Sequence, residues 1–149
     1  MKVAIGLLFA ALGIGVVQAE TIETRAQDYI DNQNVESGAR TGYGDCIVTR
    51  EPGNLPTSAK YKVNVKDEGN YQLKMTYAAG VPRPVSITVN GQFISGNAAS
   101  GATGGFFPGN QITSNEGVVR LKAGENLVLI SRDSDFPHIH SFTVEGPQP

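Results

Sequence analysis

Apolar residues recur along this chain with a period of two rather than 3.6. In Ala59-Lys60-Tyr61-Lys62-Val63-Asn64-Val65 they take every odd position, and the alternation returns at Tyr71, Leu73, Met75 and Tyr77 and at Val85, Ile87 and Val89. Successive side chains of a strand point to opposite faces, so each segment reads as a strand with one buried and one wet face. Phe142 and Val144 alternate likewise in a closing strand, whereas Leu127-Val128-Leu129-Ile130 is apolar throughout and suits a strand buried on both sides. Turn residues separate the segments: 66–70 joins the first two, the hairpin dipeptide Asn90-Gly91 follows the third, and Lys122-Ala123-Gly124-Glu125 divides 118–121 from 127–130. Such short connections predict antiparallel neighbours. Helix signals are weak, and the best of them, 22–29, is either a short helix or an edge strand with a turn. Seven or more short strands at this spacing predict an all-β fold, a β-sandwich or jelly roll of two antiparallel sheets. The exception to the short connections is 95–117, rich in Gly, Ala, Ser and Asn around Phe106-Phe107-Pro108. A loop of that length in a compact domain is functional or disordered.

Composition narrows the function classes. The 149 residues carry 12 Lys+Arg against 14 Asp+Glu with no basic run, which speaks against nucleic acid and anionic membrane surfaces as partners. Eighteen Gly, eight Pro, no Trp and 17% charged residues speak against helical bundles. Residues 1–19 differ from the rest. Lys2 is a lone positive charge, 3–17 is uncharged and apolar, and Val17-Gln18-Ala19 is a small-residue cleavage site, so the segment reads as a secretory signal peptide. The alternative, a retained anchor, is short for the ~20 residues a membrane span needs. Cleavage leaves 20–149 as a single domain with 11 Lys+Arg against 14 Asp+Glu, secreted or periplasmic and not inserted in a membrane. Cys46 has no internal partner and is either buried or open to an intermolecular bond; it opens the apolar run Cys46-Ile47-Val48, which favours burial.

The order of segments carries a resemblance. Ala26-Gln27-Asp28-Tyr29 resembles an "AEDY" opening, and Gly42-Tyr43 with Tyr61-Lys62-Val63-Asn64-Val65 resembles a "GY … Y-x-V-x-V" pair. Gly69-Asn70-Tyr71-Gln72-Leu73 with Thr76-Tyr77-Ala78 is similar to "G-x-Y-x-L … R-Y-A", and Val89-Asn90-Gly91 to "V-N-G". Thr103-Gly104-Gly105-Phe106 is similar to "T-G-G-W", and Leu121-Lys122-Ala123-Gly124-Glu125-Asn126 to "L-x-A-G-x-N". Together they resemble the carbohydrate-binding modules of families 6 and 35, which are jelly rolls. The likeness spans about 22–146.

That resemblance implies a non-catalytic protein that binds poly- or oligosaccharide at the loop end of the sandwich. The family's two flanking rings correspond to Tyr43 and to Phe106 or Phe107, and its sugar-bonding amide to His138. A pyranose packs its C–H face on aromatic rings, and its hydroxyls need partners that donate and accept; a neutral imidazole offers one of each. Of the adjacent phenylalanines one is expected to point in and the other out. Asp135, with Arg132 and Asp133, either contacts ligand beside the cleft or belongs to a solvated loop, and Asn97, Asn110 and Asn115 either bind hydroxyls or form turns. Binding is expected at about 10⁻³ to 10⁻⁵ M. The family's structural calcium is held by carboxylates where this chain has Arg25, Gln27 and His140, a set that does not suit a hard cation, so that calcium is expected to be absent and Arg25 to offer a positive charge in its place.

The rival chemistry is His138-Ile139-His140 with Glu145. Residues i and i+2 of a strand share a face, so both imidazoles can address one transition metal, but in a regular strand Glu145 points away from them. No G-x-S-x-G, Walker loop or H-E-x-x-H is present, Cys46 has no neighbouring His, and Asp67-Glu68 sits in a turn. Neither an enzyme nor a cofactor is therefore expected. The alternative to sugar binding is a secreted or cell-envelope sandwich whose aromatic loop docks a protein partner.

Overall fold

A computed structural model describes residues 17–149. The signal peptide expected over 1–19 lies, except for its last three residues, outside the described residues. Eleven strands are present: β1 (Glu20–Arg25), β2 (Asp31–Gln33), β3 (Val35–Ser37), β4 (Ile47–Thr49), β5 (Thr57–Val65), β6 (Gly69–Ala78), β7 (Val85–Val89), β8 (Gln92–Ala98), β9 (Ile112–Leu121), β10 (Gly124–Arg132) and β11 (His138–Gly146). They form two antiparallel sheets, one in the order β3-β4-β11-β6-β9 with β1 also on β11, the other β2-β5-β10-β7-β8. The all-β sandwich read from the alternation is the fold observed. No helix of the described residues is long and apolar enough to cross a membrane.

The alternating strands bury the side chains the pattern selects. Tyr61, Val63 and Val65 from β5 face Leu73, Met75 and Tyr77 from β6, and Ile87, Ile130, Phe142 and Val144 complete the same core. Burying a phenol is tolerable only if its hydroxyl is bonded, and each is: Tyr61 donates to Ala26 O (2.7 Å), Tyr71 to Asp67 O (2.6 Å) and Tyr77 to Gly101 O (3.1 Å). Cys46 is buried, as expected.

Four expectations are corrected. The connections 66–70 and 122–125 do not make hairpins, because β5 and β10 lie in one sheet and β6 and β9 in the other. Both are arches across the sandwich, and a short polar connection has the same composition whether it folds back or crosses over. Asn126 holds the second arch: its buried amide donates to Lys122 O (2.9 Å) and Gly124 O (3.1 Å) and its oxygen accepts from Lys122 N (3.0 Å). Of the three connections read from the sequence, Asn90-Gly91 alone closes a hairpin, β7 to β8, with both residues at the positive φ a type I′ turn needs (50° and 81°). The strand at 127–130 is not buried on both sides. Leu127 is exposed and Leu129 partly so, because among the described residues nothing packs on the outer face of that sheet. The long loop is shorter than 95–117, since β8 runs to Ala98 and β9 starts at Ile112. Residues 22–29 form edge strand β1 and one 3₁₀ turn, Ala26–Asp28.

Strand β11 contains a bulge at His140, where pairing with β6 passes from Ile139–Tyr77 to Ser141–Thr76. Ile139 and Phe142, three residues apart, therefore both enter the core. This defect places the two histidines differently.

Candidate functional site

At one end of the sandwich the 38–46 loop, the 81–84 turn, the loop before β9 and the segment before β11 enclose a cleft of about 330 Å³. Tyr43, Phe106, His138, Arg83, Asp135 and Arg50 line it, with Glu36 and Thr41 at its margin. Four of the five predicted site residues thus converge. Phe107 alone lies outside the lining and packs behind Tyr43.

Tyr43 is held by its loop. Its N–H donates to Gly38 O (2.8 Å), Gly38 N–H donates to Cys46 O (2.7 Å), and the Cys46 thiol reaches Tyr43 O (3.5 Å). Gly44 must be glycine: its φ is +78°, and a Cβ there would stand 2.8 Å from Pro108. The loop before β9 is tied down by Thr103, whose N–H donates to Ala79 O (2.7 Å) and whose Oγ1 accepts from Ala79 N–H (2.9 Å). Asn110 is structural rather than ligand-facing, because its side-chain oxygen accepts from Phe107 N–H (3.2 Å). Phe106 is partly buried against the core and Phe107 is 57% exposed, the division expected for adjacent residues.

The rings form a row. Phe107 and Tyr43 have centroids 5.0 Å apart, Tyr43 and His138 4.4 Å, and His138 and Phe106 4.8 Å. The Arg83 guanidinium ends the row, 4.4 Å over the Phe106 ring, and donates to Phe136 O (3.0 Å). Phe106 is therefore enclosed by Arg83, His138 and Gly80, where a Cβ would stand 2.6 Å from the ring. Tyr43 is the half-buried ring that forms a wall of the cleft.

His138 is buried, and its Nδ1 lies 2.9 Å from Phe106 O. Burial pushes its pKa below the ordinary imidazole value and the Arg83 charge adds to this, while the Phe106 carbonyl opposes it. Burial also lowers the pKa of Arg83, which remains a cation. Asp135 accepts from Gly53 N–H (3.1 Å), and the next residue, Phe136, donates its N–H to Thr49 Oγ1 (2.7 Å), which fixes the approach to β11.

The remaining candidates fall elsewhere. Arg132 donates to Pro84 O (2.8 Å), Asp133 is exposed, Asn97 is exposed on β8, and Asn115 accepts from Gln72 and from Gly117 N–H. None lines the cleft. The sequence reading passed over Arg83, Arg50 and Glu36. The available signal for Arg83 was Pro82-Arg83-Pro84, a rigid turn that holds a cation just before strand β7.

His138 and His140 have separate surroundings. His140 Nε2 is 3.5 Å from Asp45 Oδ2 and its Nδ1 is 2.9 Å from Ser141 Oγ, whereas His138 lines the cleft. Glu145 pairs with Lys74 (3.4 Å). The bulge also puts His140 and Glu145 on the same outer side of β11, contrary to the regular-strand expectation. Among the described residues no three His, Cys, Asp or Glu side chains are grouped to hold a metal. At the positions matched to the family's calcium ligands, Arg25 is paired with Asp45 and Gln27 donates to Cys46 O (3.3 Å). Asp45, His140 and Ser141 form a chain of polar groups, but Ser141 is buried and these groups are not part of the cleft lining.

No family model matches the chain, and no curated protein matches it in sequence. Solved structures do. The chain is similar to a family 35 carbohydrate-binding module from Clostridium thermocellum, with 22% identity over 84% of this chain and 97% of that one and a TM-score of 0.66. It is similar to the C-terminal family 6 module of the laminarinase LamC from Zobellia galactanivorans, with 19% identity, 85% and 100% coverage and a TM-score of 0.65. The chain has the fold of the family 6 and 35 carbohydrate-binding modules. A third structure of this carbohydrate-binding-module fold is Xyl-CBM35 in complex with a glucuronic-acid-containing disaccharide, at 20% identity, 85% and 94% coverage and a TM-score of 0.63.

Proposed function

We propose that the protein is an exported, non-catalytic module, folded as one domain over 20–149, that binds a pyranose of a poly- or oligosaccharide in the loop-end cleft. The observation that carries this reading is the aromatic row ending in Arg83, set in a cleft that also presents Asp135 and Arg50. Tyr43 supplies the wall for the C–H face of the sugar, and Phe107 supports Tyr43 from behind. His138, Arg83 and Asp135 bond the hydroxyls, the guanidinium only donating and the carboxylate only accepting. With Arg25 paired to Asp45, no calcium is required.

The test is affinity electrophoresis of residues 20–149 through gels containing soluble xylan, galactomannan or mixed-linkage β-glucan, with calcium and with a chelator. Retardation by at least one polysaccharide, equal in both conditions, supports the reading; free migration in all of them contradicts it. The exposed ring of Phe107 favours one second reading, docking of a protein partner. In that case the polysaccharides have no effect and Phe107→Ala releases the partner.

A further inference from the structure

The bonding of His138 is asymmetric. Its Nδ1 lies 2.9 Å from the carbonyl oxygen of Phe106, and a carbonyl only accepts, so Nδ1 carries the proton. In the neutral ring Nε2 is then a bare lone pair. Nε2 has no hydrogen-bond partner among the described residues, yet it is not among the buried side-chain atoms left without one, so it is open to solvent in the cleft. The ring cannot turn to exchange the two nitrogens without breaking its bond to Phe106 and its packing between Tyr43 and Phe106. On the same cleft wall Arg83, with one Nη given to Phe136 O, offers its remaining N–H groups and accepts nothing.

Building on the sugar-binding reading, we infer that His138 is the specificity-determining acceptor of the cleft: a ligand hydroxyl must donate to Nε2 while a neighbouring ligand oxygen accepts from Arg83. The ligand class is a polyol with adjacent oxygens, one of them a free hydroxyl. A ligand that offers only an acceptor at the first position, such as an O-methyl ether, leaves two lone pairs facing each other. Protonation removes the Nε2 acceptor: the imidazolium Nε2–H only donates, so the ligand hydroxyl has to turn and accept instead, and the new charge faces Arg83 in the same cleft.

The experiment has two parts. Long-range ¹H–¹⁵N correlation spectra of the labelled protein at neutral pH read the tautomer directly. A proton on Nδ1 and none on Nε2 is expected, and the reverse overturns the inference. Affinity electrophoresis in the same three polysaccharides between pH 8 and 5 reads the ligand side. The charged and titratable groups that share the cleft with His138 are Tyr43, Arg83, Arg50, Glu36 and Asp135. Retention is expected to fall about tenfold as His138 becomes protonated. His138→Asn, whose amide has both donor and acceptor and no charge to gain, is expected to lose that pH dependence, and His140→Gln to keep it. A flat wild-type profile, or one abolished by His140→Gln instead, overturns the inference while leaving sugar binding standing. Migration unaffected by every polysaccharide at every pH overturns both. The wild-type profile and the tautomer decide the matter even if His138→Asn does not fold.

Discussion

The imidazole of His138 stands edge-on to the ring of Tyr43, centroids 4.4 Å apart and planes at 65°. One residue comes from a loop between two short strands and the other opens β11, so this contact brings the two halves of the cleft together. Edge-to-face packing adds about 0.5–1.5 kcal/mol beyond area burial and fixes the plane of the phenol. The two phenylalanines then take unequal roles, Phe107 behind Tyr43 and Phe106 beneath Arg83.

Phe106→Ala is expected to cost about 2–3 kcal/mol of unfolding free energy, less than for a fully buried ring, because it removes packing against the core and the platform under Arg83. Phe107→Ala at its exposed position is expected to stay within about 0.5 kcal/mol. Urea denaturation of the two variants checks the difference, and equal effects would mean that the division of the pair is wrong.

Gly80→Ala is expected to displace the Phe106 ring, since the added carbon would stand 2.6 Å from it. A cost of about 1–3 kcal/mol is typical of such overpacking. Thermal unfolding reads it, and an unchanged midpoint would show that the ring moves freely.

Stability should depend on His138. Its folded-state pKa is below the unfolded value, so the unfolded chain takes up a proton first as the solution is acidified. The contribution is fully present above about pH 6.5 and is lost as the pH falls through the folded value. Unfolding free energy measured from pH 8 to 5 should fall less for His138→Asn than for the wild type. Parallel curves would remove His138 as the cause.

Cys46 is buried and its pKa is pushed up to about 11, mainly by desolvation and secondarily by the Asp45 charge. A thiol in that state is a poor nucleophile at neutral pH. Ellman's reagent is expected to label the native protein slowly and the urea-unfolded chain fully; rapid native labelling would mean that the 38–46 loop opens.

The sheets were legible because one-sided burial imposes alternation on β5, β6 and β7, and because Asn90-Gly91 has turn chemistry of its own. The partition of strands between sheets was not, since the arches at 66–70 and 122–125 use the same polar residues as hairpins. Leu127 misled because an apolar residue on an exposed sheet face is tolerated and leaves no mark in the pattern. At the site, Tyr43, His138 and the Phe pair stood out through motif order. Arg83 and Glu36 did not, as their role comes from tertiary proximity alone. The bulge at His140 was equally hidden, and it separates two histidines that a regular strand would align.

The central claim is that the Tyr43 wall binds sugar, and affinity electrophoresis of wild type against Tyr43→Ala in the retarding polysaccharide tests it most directly. A loss of retention of about tenfold or more, with the unfolding midpoint changed little because Tyr43 is only half-buried, is the predicted result. Undiminished retention by a folded Tyr43→Ala variant would place the sugar elsewhere and contradict the account.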